Sequence, residues 1–155
     1  MFVLQTRYLS FFFGLISILS FFNIIYSYYL NLYLNLDTYY GSFLISFFVS
    51  IIFYKIKTTQ KKLSIFDKIL TVFLGYLLLP LVLSIPFYFS IYNLTFLNSY
   101  FESISGFTST GFTIFENIKL IDQSLILWRS STQWIGGLYF LFSIIFLIDI
   151  YDENF

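Results

Sequence analysis

The chemistry this chain could perform is concentrated between Phe96 and Gly137. It is not the chemistry of bond making. The run FLNSYFESISGF, Phe96 to Phe107, is followed at once by Thr108-Ser109-Thr110-Gly111-Phe112-Thr113. Phe96, Leu97, Tyr100, Phe101, Ile104 and Phe107 recur at three- and four-residue spacing, the period of one helix face, while Asn98, Glu102 and Ser105 lie on other faces. Ser99 and Glu102 form the S-x-x-E pattern of a capping box, which predicts a helix start near Ser99. Gly106 is a plausible end. Such a helix is about nine residues, or roughly 13 Å long, and six extended residues after it cover up to roughly 20 Å.

Two geometries fit that pattern. One is a short external amphipathic helix closed by a Ser/Thr-Gly turn. The other is a half-helix that dips into a bilayer and an extended strand that returns to the same surface. Exposed backbone at membrane depth is tolerated only where protein buries it or where it lines an aqueous path. Gly111 allows carbonyl oxygens to point inward in succession, and a ladder of carbonyls can replace the water shell of an alkali cation. The negative end of the helix dipole would aim at the same path.

The rest of the chain must then be membrane-spanning. It is 59% hydrophobic and 10% charged, with mean hydropathy +0.84, against about 25% charged residues in a soluble domain. Spans of about 20 apolar residues are expected over Tyr8–Tyr29, Tyr39–Tyr54, Ile69–Tyr92 and Leu125–Asp149, the second being short. Pro80 and Pro86 predict a kink or a shortened helix in the third. The first span is too long for a signal peptide and lacks a small-residue cleavage site. Tyr28, Tyr29, Tyr33, Tyr39 and Tyr40 suit an interface, although the abundance of aromatic residues and the absence of alanine also suggest an AT-rich coding sequence. The fold class expected is all-α integral membrane. It divides into residues 1–68, two leading helices with a lysine-rich loop, and 69–155, a helix–pore loop–helix repeat with its strand at 108–113.

Lys55, Lys57, Lys61, Lys62 and Lys68 crowd one loop, and the positive-inside rule places it, and both termini, in the cytoplasm. Residues 93–124 then face outside. The lysines also suit anionic lipid or a soluble partner. Without histidine or cysteine, Cys/His metal sites and Ser-His or Cys nucleophiles fall away. No paired carboxylates sit at useful spacing, and Asp149, Asp152 and Glu153 read as a solvated tail. Neither an enzyme nor a nucleic-acid binder is expected.

The order of two motifs narrows the reading. SGFTSTGFT (Ser105–Thr113) and then WRSSTQWIGG (Trp128–Gly137), with Phe101-Glu102 ahead of them, resemble the Trk/Ktr/HKT superfamily of potassium transporters, the Trk-type membrane subunit most closely. The resemblance implies a filter strand over Thr108, Ser109, Thr110, Gly111, Phe112 and Thr113. Potassium would meet the backbone carbonyls of Ser109, Thr110 and Gly111. Gln133 and Trp134 are candidates to support that strand from behind, with an interfacial tryptophan as the alternative. Gly136 and Gly137 are candidates for close helix packing. Glu102 reads either as a cap carboxylate or as an attractor of cations, and Arg129 either snorkels into water or pairs with Glu116 or Asp122.

Such transporters are similar to four covalently joined repeats around one pore, and this chain carries one repeat after two further helices. The expectation is therefore the N-terminal part of a subunit, completed by another chain or by identical copies. A cytosolic nucleotide-binding regulatory partner is implied by the resemblance alone. No cofactor is expected, potassium being the cargo. The alternative is a non-transporting remnant or an accessory membrane scaffold.

Overall fold

A computed structural model describes residues 5–56 and 64–148. Helices are the regular elements of the described residues, with no strand among them. Helix α1 is Thr6–Tyr29, α2 Leu36–Lys55, α3 Ile65–Leu83, α4 Ile85–Tyr88, α5 Phe96–Phe107 and α6 Gln123–Ile148. Among the described residues, four stretches are long and apolar enough to cross a membrane: Thr6–Tyr29, Leu36–Lys55, Ile65–Tyr88 and Gln123–Ile148. Lys57, Lys61, Lys62, Asp149, Asp152 and Glu153 lie outside the described residues.

Two boundaries differ from the sequence reading for local reasons. The second span gains a turn, because the helix starts at Leu36 with Asp37 in its first turn, where a carboxylate meets the positive end of the dipole. The third starts at Ile65, so Lys68 belongs to the helix and not to the loop. Ser64 and Asp67 form a true capping box: the Ser64 hydroxyl accepts from the Phe66 amide, and Asp67 accepts from the Ser64 amide at 3.2 Å. Lys68 is buried, its ammonium 5.4 Å from the centre of the Phe146 ring.

The expected shortening comes from a break at Ser84, ahead of Pro86, which splits the third span into α3 and α4. Carbonyls around the break find partners on other helices, as an apolar surround demands. The Trp128 indole N–H donates to Leu83 O at 3.0 Å, and the Ser103 hydroxyl donates to Pro80 O at 2.7 Å.

Helix α1 packs lengthwise against α2 and also meets α3 and α6. Its Leu9, Phe12, Phe13 and Ile16 join Leu79, Leu83, Ile135 and Tyr139 in one core. Tyr139 ties α6 to α3: its hydroxyl donates to Val72 O at 2.9 Å while its ring lies against Gly75, where a Cβ would overlap it. On the hairpin, Ser10 and Ser50 donate reciprocally to each other's carbonyls at 2.8 Å. Small residues that allow close approach, with hydroxyls bonding across it, are the usual means of joining helices in lipid, where apolar burial between them gives little drive.

Gly136 and Gly137 differ sharply. A Cβ on Gly136 would overlap the Phe107 carbonyl, whereas one on Gly137 meets nothing within 4 Å. Gly136→Ala is therefore expected to lower thermal stability in detergent by about 1–3 kcal/mol, as overpacking does. Gly137→Ala should leave the melting curve in place. Equal effects of the two would show that α5 does not lean on α6 at this point.

Candidate functional site

Helix α5 starts three residues earlier than the S-x-x-E pattern indicates. Its cap is Thr95, whose hydroxyl accepts from the Asn98 amide at 3.3 Å. The Ser99 hydroxyl instead donates back to Thr95 O at 3.0 Å, and Glu102 is freed from any capping role. At 12 residues the helix is about 18 Å long.

Contacts fix how deep it reaches. Phe107, its last residue, packs on Tyr76 with ring centres 5.7 Å apart and on Tyr139 at 5.4 Å. Its backbone abuts Gly136. Tyr76 and Gly136 lie near the middles of the third and fourth spans, so α5 ends at mid-span. The chain then turns back along α5. The Ser105 hydroxyl donates to Phe112 O at 2.7 Å, and the Ile114 amide donates to Glu102 at 3.1 Å. Phe115 reaches Tyr92, ring centres 5.7 Å apart, and Tyr92 accepts from the Asp122 amide at 2.7 Å. The segment enters and leaves at one end of the bundle.

The turn is made by the backbone. Ser109 sits at φ 56° and Gly111 at φ 81°, both left-handed, a region natural for glycine and costly for other residues. The amides of Thr110 and Gly111 both donate to Ser105 O, at 3.0 and 3.3 Å, satisfying the last turn of α5. Thr108 and Thr110 join hydroxyl to hydroxyl at 2.6 Å. Residues 108–112 are exposed. Among the described residues, the carbonyls of Thr108, Ser109 and Thr110 accept no hydrogen bond. The Phe112 carbonyl is engaged by Ser105, and Gly111 O lies 3.4 Å from the Arg129 Nη2 group.

Behind this segment lies a buried clamp. The Glu102 side chain is fully buried and takes Arg129 Nε at 2.5 Å, with the Arg129 side chain 13% exposed. The Thr113 hydroxyl lies 3.0 and 3.1 Å from the two carboxylate oxygens, and the Ile114 amide completes the set. Arg129 thus pairs neither with Glu116 nor with Asp122. Asp122 is engaged at the start of α6, where it accepts from Asn35 at 3.0 Å and from the Ser124 hydroxyl.

The other candidates scatter. Gln133 is half-buried and packs beside Gly106, whose missing side chain leaves room for Thr132 of α6. Trp134 is 58% exposed on α6. Three contributors escape the sequence reading: Ser105, Thr132 and the buried Trp128. The signal was the small-polar face Ser99, Ser103, Ser105 and Gly106, all buried, overshadowed by the more obvious apolar face.

An uncharacterized cation transporter of Methanocaldococcus jannaschii is 30% identical over 126 residues, covering 80% of this chain and 26% of that protein. The Trk system potassium uptake protein TrkI of Halomonas elongata is 43% identical over 60 residues, 39% of this chain and 11% of the relative. The TrkH protein of Escherichia coli K12 is 37% identical over 70 residues, 44% of this chain and 14% of the relative. The chain spans about a quarter of the archaeal transporter and less of the Trk proteins. No protein-family model matches it, and no solved structure does. The two motifs, the four spans and these matches agree: this is a multi-pass, all-α membrane protein similar to a portion of the Trk potassium uptake proteins.

Proposed function

We propose that this chain supplies one pore-loop repeat of a potassium-uptake pathway, with Thr108 to Thr113 facing the ion. The observation that carries it is the turn after α5, which ends a helix at mid-span and leaves three successive carbonyls, Thr108 to Thr110, without a partner among the described residues. Carbonyls at that depth need a substitute for water, and a dehydrated cation is one. The C-terminal end of α5 adds partial negative charge. The names of the relatives, cation transporter and potassium uptake protein, support cargo of this class.

In this reading Ser109, Thr110 and Gly111 offer coordinating oxygens, and Glu102 positions the strand. Its carboxylate holds Thr113 and the Ile114 amide, and Arg129 neutralises it. A buried, compensated Glu102 is a poor attractor of cations from outside. One loop gives about a quarter of a ring such as four pore loops build, so the remaining strands come from the rest of the transporter or from identical copies. By the resemblance, a cytosolic nucleotide-binding subunit is a further partner. The lysine loop and both termini lie in the cytoplasm, and the membrane is the cytoplasmic one.

The test is potassium-limited growth and rubidium uptake in uptake-deficient bacteria, with the chain expressed alone and with its adjacent reading frame. Uptake in either case, lost in Gly111→Arg, is the expected result. No uptake under either condition, with the protein confirmed in the membrane, favours the remnant or scaffold reading. Flux unchanged by Gly111→Arg would sink the filter assignment.

Glu102→Gln tests the clamp separately. Removing one partner of a buried pair costs about 3–5 kcal/mol. The variant should be strongly destabilised in thermal unfolding, and the Glu102→Gln/Arg129→Gln double variant less so than the two single losses added. Strict additivity would mean that the pair does not act as a unit.

A further inference from the structure

The leading hairpin holds a feature that the pore loop does not use. Along the seam between α1 and α2, beside their Ser10–Ser50 junction, two adjoining cavities open on the surface. One, of about 460 Å³, runs between Gly14, Ile18 and Phe21 of α1 and Phe43 and Phe47 of α2. The other, of about 330 Å³, lies between Arg7, Phe11, Ser50 and Tyr54. Gly14, Ile18 and Ser50 line both, so they form one groove. From Arg7 to Phe21 it follows α1 for about 21 Å, somewhat more than half of a ~30 Å hydrocarbon core.

The groove is apolar over most of its length and cationic at one end. Arg7 is exposed and, among the described residues, has no ion pair or hydrogen bond. Tyr54 lines the same end, and Lys55, the last residue of α2, stands beside it in sequence. Among the described residues, no acidic side chain lines either cavity. At the far end Phe21 and Phe43 face each other across the two helices, ring centres 6.1 Å apart. A spanning helix would need a track along the whole core, whereas this one runs from the interface to an aromatic pair partway across. We infer that the groove binds one anionic glycerophospholipid. Its acyl chain lies between α1 and α2, and its phosphate rests on Arg7, whose planar fork matches phosphate oxygens. The inference rests on the membrane topology alone and stands apart from the transport reading.

The experiment is native mass spectrometry of the full chain released from nanodiscs of equal phosphatidylglycerol and phosphatidylcholine with identical acyl chains. The wild-type protein should retain one phosphatidylglycerol per chain, several-fold over phosphatidylcholine. Arg7→Gln should bring the two lipids to parity, and Arg7→Lys should keep most of the preference. Ile18 is half-exposed, so Ile18→Trp fills the groove without entering the helix contact. It should lose lipid of both kinds with an unchanged melting curve. Retention by Ile18→Trp equal to wild type, or no preference in the wild type, overturns the assignment. So does a groove that proves to be occupied by a second copy of the chain, seen as a dimer that Ile18→Trp dissolves.

Discussion

A backbone that leaves helical geometry inside an apolar surround must find every hydrogen-bond partner within the protein or in a bound polar species. That constraint explains most of what is distinctive in this molecule. It bears twice on the same region, once where the prolines interrupt the third span and again where the chain turns back after Phe107. In both places the solution is a side chain from a neighbouring helix. Trp128 takes the carbonyl of Leu83, Ser103 that of Pro80, and Glu102 the amide of Ile114. The third solution is the most consequential, since a buried carboxylate is tolerable only when paired and fully hydrogen-bonded. Arg129 and Thr113 meet that condition, so the turn, the clamp and the start of α6 form one unit.

The packing of the helices follows from the same solvent. Helix α5 buries its small and polar face, Ser99, Glu102, Ser103, Ser105 and Gly106, while Leu97 is 75% exposed and Phe96 and Phe101 also point outward. In water this would be inside-out. In a bilayer, apolar groups gain little by leaving their surroundings, and hydroxyls and glycines allow the close backbone approach that holds helices together. The overlap that any side chain at Gly136 or Gly75 would create measures how close that approach is.

What the sequence made legible follows this physics unevenly. The four spans were readable because length and apolarity alone define them. The shortening of the third helix near Pro86 was readable because proline lacks a donor. The sequence left two geometries open for the segment after α5, and no local pattern could say that Phe107 would meet Tyr76 and Gly136. The start of α5 was misplaced because S-x-x-E is a local pattern. Glu102 satisfies that pattern, yet its charge is claimed by an arginine 27 residues further on, a partner no local rule names. Trp134 was taken from a motif, and its position there says nothing about which face of α6 it occupies. The face was set instead by Trp128, Thr132, Ile135, Gly136 and Tyr139, all buried.

The constraint also bears on what the single chain lacks. The two surfaces of the re-entrant turn are not equivalent. Its inner side is satisfied by Ser105, Thr113, Glu102 and Arg129, whereas its outer side presents exposed residues 108–112, of which Thr108, Ser109 and Thr110 have carbonyls that accept no hydrogen bond among the described residues. Lipid can cover Leu97 and Phe101, but it cannot satisfy carbonyls. Under the proposed function that surface requires water or an ion on one side and further protein on the other to exclude lipid from it. Under that proposal, completion by additional repeats answers the same hydrogen-bonding rule that built the clamp. It does not depend on the count of repeats in any relative. A scaffold reading has to meet the demand as well, and would have to name another polar group to cover the carbonyls of Thr108, Ser109 and Thr110.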